Sequence, residues 1–263
     1  MKLGEYYDFI VETAYLAGRL TLGYYQTGVR PDIKADETPV TVADRLSEEL
    51  IRHRIEARYP SHAIIGEEFG AKEAEGTTFR WFIDPIDGTK SFVRGVPLYA
   101  VLIGLEIEGH VEVGAAYFPA LDEMLAAATG QGCWWNGRRA RVSQEMDLKQ
   151  ASVAYTSLTH FEGDGRKEVW DRIKQATLLQ RGWSDAYGYL VVATGRMELM
   201  IDPVMSAWDC GPFPPIFREA GGFFGDWGGH ETIYAGEAIA TTHNLLSKVL
   251  ELTRMAKDGQ EKS

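Results

Sequence analysis

The sequence predicts a mixed α/β (α+β) protein of two tightly apposed parts, and three observations carry that expectation. Apolar residues recur at helical spacing near the N-terminus, residues 98–135 read as an antiparallel meander, and beyond about residue 143 short strands and helices interleave. An N-terminal α+β subdomain is expected over 1–145 and a smaller C-terminal α/β subdomain over 146–263, with no Pro/Gly/Ser linker between them. A chain of 263 residues, 45% of them hydrophobic, has the mass to bury roughly 70–75% of its unfolded surface, so a sizeable core is available.

Leu3, Tyr6, Tyr7, Ile10, Val11, Ala14 and Ala17 place one apolar face on a helix over residues 3–25, ended near Gly28 and Pro31. The charged stretch Lys34-Ala35-Asp36-Glu37-Thr38-Pro39 has the composition of a mobile surface loop. A second helix begins at Thr41, with Asp44 three residues on as a capping box and Val42, Leu46, Leu50 and Ile55 on one face. Ala63–Ile65 and Phe79–Ile83 read as short strands that end in acidic residues. Residues 98–107 and 111–118, separated by Glu108-Gly109-His110, predict a hairpin, which Met124–Ala128 and Gly132–Trp135 extend. Further on, Ser152–Ser157 and Met197–Ile201 are expected as strands, and Glu168–Thr177, Ala186–Thr194, Trp208–Ala220 and Asn244–Ala256 as helices. A polar tail, Lys257–Ser263, is expected to be disordered.

The formal charge of −11 argues against a nucleic-acid binder, which needs Lys/Arg gathered on one face. The first twenty residues lack the apolar run of a signal peptide, and no stretch reaches the length of a membrane span. Two cysteines are too few for a disulfide framework, so a soluble cytoplasmic protein is expected. Cys210 reads as a buried structural thiol, and the six histidines show no ligand spacing.

Acidic residues sit where strands give way to turns: Gly66-Glu67-Glu68, Asp84-Pro85-Ile86-Asp87-Gly88-Thr89, and Trp208-Asp209. Carboxylate and carbonyl oxygens suit hard cations such as Mg²⁺, and Pro85 and Gly88 suit a turn that brings Asp84, Asp87 and the Ile86 carbonyl together. Each segment also has an ordinary explanation. Asp-Pro and Asp-Gly are common turn signals, adjacent glutamates are commonly a solvated loop, and Asp44 and Asp209 suit helix caps.

Taken together, these segments, with Trp81–Ile83 before the turn, Lys90-Ser91-Phe92 after it and Glu219-Ala220-Gly221-Gly222, resemble the inositol monophosphatase superfamily. These are Mg²⁺-dependent, lithium-sensitive phosphatases, and the resemblance runs over nearly the whole chain. It implies a layered sandwich fold and a homodimer. It also implies that Glu67, Asp84, the Ile86 carbonyl and Asp87 bind the first metal or metals, that Asp209 completes a second site, and that two or three ions are held in all. Asp44 and Thr89, with Glu67, would activate the attacking water. Gly88 and Thr89 would open a helix facing the phosphate, and Lys34 would be a mobile-loop lysine near a further, weaker metal.

Arg181–Tyr189, Asp202, and Lys90–Pro97 look more like the histidinol-phosphate phosphatase branch, which serves histidine biosynthesis. Acidic Asp185 and Asp202 would then pair with the ammonium and imidazole of that substrate. Trp183, Tyr187 and Tyr189 also fit helical spacing in a core, with Asp185 as a cap. The alternatives are an inositol-1-monophosphatase, a broad small-sugar phosphatase and, more remotely, a non-catalytic metal- or phosphate-binding regulator. One departure from the family pattern is Cys210-Gly211-Pro212-Phe213-Pro214-Pro215, where the prolines predict a kink or a late start in the helix after Asp209.

Overall fold

The computed structural model describes residues 3–35, 37–163 and 165–254. Helix α1 (Leu3–Leu22) is followed by the two-stranded hairpin β1 (Asp32–Ile33) and β2 (Pro39–Val40), whose tip carries Lys34, and then by α2 (Val42–Arg58). An eight-stranded sheet comes next. Its strands are β3 (Ala63–Gly66), β4 (Gly70–Lys72), β5 (Phe79–Asp87), β6 (Ala100–Ile107), β7 (His110–Phe118), β8 (Glu123–Ala128), β9 (Gly132–Trp135) and β10 (Arg138–Arg139). Their spatial order is β10-β9-β8-β7-β6-β5-β3-β4, antiparallel throughout except where β3 runs parallel to β5. The expected hairpin is β6–β7, closed by Glu108 and Gly109, both at positive φ as a two-residue turn of that hand demands.

The second sheet draws on later residues. Strands β11 (Ser152–Ala154), β12 (Leu179–Arg181), β13 (Leu199–Asp202), β14 (Gly222–Gly225) and β15 (Ala238–Thr242) lie in the order β12-β11-β13-β15-β14. Helices α4 (Arg166–Ala176), α5 (Ala186–Ala193), α6 (Ala207–Cys210), α7 (Phe213–Ala220) and α8 (His243–Thr253) join or follow these strands, and the short α3 (Thr89–Val93) follows β5.

Strand alternation explains the layering. Along β5 and β6, Trp81, Ile83, Val101, Ile103 and Leu105 face α1 and α2, packing on Ile10, Ala14, Ile51 and Ile55. Phe82, Ala100 and Leu102 face the other way, into a core shared with α5, α7 and the inner residues of the second sheet, Ala154, Met200, Phe224 and Ala240. The outer face of that second sheet, through Val153, Leu199, Ile201 and Ile239, is covered by α4 and α8. The result is the layered sandwich, helices–sheet–helices–sheet–helices, that the family resemblance implies.

Several expectations need correction at their ends. The first helix stops at Leu22, and the strand expected over Ser152–Ser157 stops at Ala154. The strand expected over Met197–Ile201 runs Leu199–Asp202. The helix expected over Trp208–Ala220 is two helices, because Gly211 and Pro212 interrupt it; Pro214 and Pro215 then occupy the first turn of α7, where a missing N–H costs nothing. The last residues of the helix expected over Asn244–Ala256, and the tail Lys257–Ser263, lie outside the described residues. Among the described residues no helix is long and apolar enough to cross a membrane.

Candidate active site

Strand β5 occupies the middle of the large sheet, and its last residues form the site. The pairing with β6 is regular as far as Asp84↔Leu102, slips, and resumes at Asp87↔Ala100. This bulge turns Asp84 and Asp87 toward one side. The Asp84 carboxylate fixes the turn by accepting the Ile86 N–H at 3.0 Å. Gly88, at φ 81°, then starts α3, and both Ser91 and Phe92 donate their N–H to its carbonyl.

Asp209 arrives from the opposite layer. It is the third residue of α6 and completes a capping box, accepting the Ser206 N–H at 2.7 Å. What brings α6 this close is the absence of two side chains on the sheet beneath it. A Cβ on Gly104 would stand 2.3 Å from the Gly211 carbonyl oxygen, and one on Gly114 would stand 2.2 Å from that of Pro212. Carboxylate oxygens of Asp84, Asp87 and Asp209 consequently lie within 4.8 Å of one another.

Glu67 follows β3 and is tied to β5 by its N–H on the Ile83 carbonyl at 3.2 Å. Its side chain accepts from the Lys34 ammonium at 2.8 Å, and Glu68 accepts from the same ammonium at 2.6 Å. Burial alone would lower the Lys34 pKa, but the two carboxylates outweigh it and hold the ammonium firmly charged. Burial, reinforced by the Glu67 charge, pushes Glu68 up to about 7 against the pull of Lys34.

Asp44 is fully buried in the first turn of α2. One of its oxygens accepts the Thr41 N–H at 2.8 Å and hydroxyl at 2.5 Å; the other lies 3.2 Å from the Thr89 hydroxyl, which is also 3.1 Å from the Ile86 carbonyl. Burial raises the Asp44 pKa while the Thr41 and Thr89 hydrogen bonds oppose it. The capping box and the link to Thr89 therefore coexist in one side chain.

The cleft above these groups holds about 450 Å³ and is lined by Glu67, Asp84, Asp87, Thr89, Asp185, Asp202 and Asp209, among others. Asp44 and Lys34 stand behind this lining and reach it through Thr89 and Glu67. Asp185 immediately precedes α5 at φ 55° and ψ −151°, and its side chain caps nothing. A side-chain-bearing residue pays on the order of 1–3 kcal/mol to hold such a conformation. Its N–H is fixed on the Thr156 hydroxyl at 3.1 Å, and the next N–H, that of Ala186, is fixed on the Asp87 carboxylate at 2.6 Å. Asp202, at the end of β13, is 1% exposed and accepts from the Thr156 N–H at 3.1 Å and the Tyr189 hydroxyl at 3.0 Å. Burial pushes it up to about 7.

Of the aromatics near Asp185, Tyr189 is core, whereas Trp183 is exposed. His160, Thr156, Ser157 and Met205 also line the cleft. Thr156, Ser157 and Met205 lie on irregular segments and His160 in a short 3₁₀ turn, with no periodicity or motif to mark them. Cys210 is buried, as expected of a structural thiol, and burial raises its pKa well above the ordinary thiol value.

The donor set fits a hard divalent cation. Every atom offered is oxygen, and among the described residues the ion pairs leave Asp84, Asp87 and Asp209 without a Lys or Arg partner. Burial holds Asp84 and Asp87 well above the ordinary carboxylate range, and their charged neighbours add to it: Glu67, Asp87 and Asp209 for the first, Asp185 and Asp209 for the second. Burial pushes Asp209 up to about 7. Carboxylates gathered in this way need a compensating positive charge to ionise together.

Comparisons with known proteins agree with this geometry. A profile of the inositol monophosphatase family matches residues 2–257. The chain is 41% identical over 241 residues to a histidinol-phosphatase of Chlorobaculum parvum, covering 91% of this chain and 93% of that one. It is 30% identical over 249 residues to an inositol-1-monophosphatase of Mesorhizobium japonicum, covering 92% and 93%. The crystal structure of the extragenic suppressor protein suhB from Bartonella henselae superimposes with a TM-score of 0.87 at 28% identity, over 94% of this chain and 97% of that one. The resemblance read from the acidic segments is thereby borne out: the chain belongs to the inositol monophosphatase family and is an enzyme of the phosphoric monoester hydrolase class.

Proposed function

We propose that this protein is a Mg²⁺-dependent phosphomonoesterase that hydrolyses histidinol phosphate to histidinol and phosphate. The observation that supports it most directly is the convergence of Asp84, Asp87 and Asp209 beside Glu67 and the Thr89–Asp44 pair, in a cleft whose far wall carries Asp185. The first three carboxylates, Glu67 and the Ile86 carbonyl are the groups that hold Mg²⁺. Bound there, Mg²⁺ supplies Lewis acidity toward the phosphate and lowers the pKa of water.

The residues of the chain supply the rest. Thr89 accepts a proton from the attacking water on its hydroxyl oxygen as its own proton passes to Asp44. Asp44 is ready for this because its other oxygen is already held by Thr41, so the free one faces Thr89 alone. As the water oxygen bonds to phosphorus, the ester P–O bond breaks in line, and the departing alkoxide takes a proton from solvent. The Lys34 ammonium orients Glu67 from behind. Gly88 keeps the turn open toward the phosphate, and Asp185 faces the ammonium of the substrate.

In this reading residues 1–145 provide most of the metal-holding groups and 146–263 provide Asp209 and the substrate wall. A homodimer, inhibition by lithium and two or three Mg²⁺ per chain go with it, as the family resemblance implies, and a cytoplasmic location goes with it on the cysteine usage.

A phosphate-release panel tests the proposal. With Mg²⁺ present, kcat/KM for histidinol phosphate is expected to exceed that for inositol 1-phosphate, fructose 1,6-bisphosphate and adenosine 3′,5′-bisphosphate by at least about tenfold. A tenfold preference for inositol 1-phosphate overturns the substrate. Absence of Mg²⁺-dependent phosphate release from every ester overturns the activity.

A further inference from the structure

Asp185 and Asp202 both border the cleft, yet their carboxylates are not equally free. Asp202 is already engaged on both oxygens, by the Thr156 N–H at 3.1 Å and the Tyr189 hydroxyl at 3.0 Å, and is almost wholly buried. The Asp185 carboxylate is only partly buried and lies against Gly88, where a Cβ would stand 3.0 Å from its Oδ2; it accepts from the neighbouring Ser184 hydroxyl at 3.1 Å and from Ser91, with the Lys90 charge nearby. The two aspartates are joined through a single residue. Thr156 gives its N–H to Asp202 and uses its hydroxyl oxygen to accept the N–H of Asp185.

That junction bears on a strained point. Asp185 sits at φ 55°, a region in which a residue with a side chain persists only when its surroundings over-determine it. The groups that do so are the Thr156 hydroxyl on one side and, one residue later, the Asp87 carboxylate on the Ala186 N–H. The first anchor leads to the substrate wall and the second to the metal-holding turn.

We propose that Asp202 is a positioning residue and makes no contact with substrate: through Thr156 it fixes the backbone of Asp185, so that the Asp185 carboxylate meets the substrate ammonium. This rests on histidinol phosphate as substrate, and it divides between two residues the pairing that the sequence suggests for both. Tyr189 completes the relay by holding the second Asp202 oxygen from within the core.

The test uses the intact protein with Thr156→Val, Thr156→Ser, Asp202→Asn and the double variant Thr156→Val/Asp202→Asn. The readout is the ratio of kcat/KM for histidinol phosphate to that for 4-nitrophenyl phosphate, which carries no ammonium. The ratio is expected to fall about tenfold in Thr156→Val and in Asp202→Asn, mostly through KM, to recover in Thr156→Ser, and to fall no further in the double variant. In parallel, amide hydrogen exchange followed by NMR is expected to quicken at Asp185 by at least about tenfold in both single variants and to stay slow at Ala186, which Asp87 holds.

A fall in Asp202→Asn with an unchanged ratio in Thr156→Val would mean that Asp202 touches the substrate itself, and the relay is overturned. Unchanged exchange at Asp185 overturns it as well. If the wild-type protein shows no preference for histidinol phosphate, the substrate reading fails, and the exchange measurement still decides whether Asp202 positions Asp185.

Discussion

Replacing Gly104 by Ala tests how the acidic cluster is assembled. Gly104 is a central residue of β6, and the new methyl would stand 2.3 Å from the Gly211 carbonyl oxygen, 2.4 Å from its carbon and 2.9 Å from its Cα. All three are backbone atoms, so no side chain can swing aside. Ordinary contact begins near 3.4 Å, so the α6–α7 junction must retreat by about 1 Å, and a displacement of that size near reacting groups costs up to about 100-fold in rate. Overpacking of this kind costs roughly 1–3 kcal/mol of stability, which for a chain of this size lowers Tm by about 3–10 °C. Asp209, two residues before Gly211, moves with the junction, while Asp84 and Asp87 stay on β5. The expected outcome is a modest loss of Tm with a larger loss of Mg²⁺ affinity, read by calorimetric titration alongside thermal unfolding. A variant with wild-type Tm and wild-type Mg²⁺ binding would show that the sheet does not set the position of Asp209.

Further outcomes follow from single side chains. Thr89→Val keeps the shape and removes the hydroxyl between water and Asp44; kcat is expected to fall by about 10²–10⁴ with little change in KM, and a near-wild-type kcat would remove Thr89 from the proton path. Asp87→Asn is expected to abolish Mg²⁺-dependent turnover while circular dichroism stays native; retained activity contradicts its role as a ligand. Lys34→Met removes the ammonium that occupies Glu67 and Glu68, and tighter Mg²⁺ binding by calorimetry is expected; weaker binding would mean that Lys34 helps to hold the site in shape. His62 is buried, accepts the Trp81 indole N–H at 3.1 Å, and has its pKa lowered by that burial. The unfolded chain takes up this proton near pH 6.5 and the folded one only at lower pH, so stability is expected to fall as pH drops below about 6.5. His62→Gln should flatten that slope in chemical denaturation, and an unchanged slope would assign it to other groups.

How much of this was legible beforehand depends on the range of the interactions. The helices α1 and α2, the capping box at Thr41 and the β6–β7 hairpin are set by neighbours a few residues apart, and the spacing of apolar residues or a Glu-Gly pair announces them. The turn from Asp84 to Thr89 was readable for the same reason. Strands β4, β12, β14 and β15 are only three to five residues long, so no alternation distinguished them from loops. The approach of Asp209 to β5 depends on two glycines more than ninety residues upstream, which a local reading sees only as weak points in strands. Asp202 shows the remaining difficulty. Its acidity and its distance from Asp209 are legible, but its partners, Tyr189 and the Thr156 backbone, come from other elements and no local pattern announces them.

The succession of strands in the large sheet also bears on the order of assembly. From β6 to β10 each strand pairs with the one before it in the chain, so these contacts close short loops, the kind that form early. Asp84 and Asp87 can therefore be in place while the rest of the chain is still unstructured, whereas Asp209 must cross more than a hundred residues of sequence to join them. A cation that needs all three carboxylates has no complete site until α6 has docked. It acts on the last stage of folding by favouring the finished state, and dilution of Mg²⁺ should hasten unfolding far more than it slows refolding.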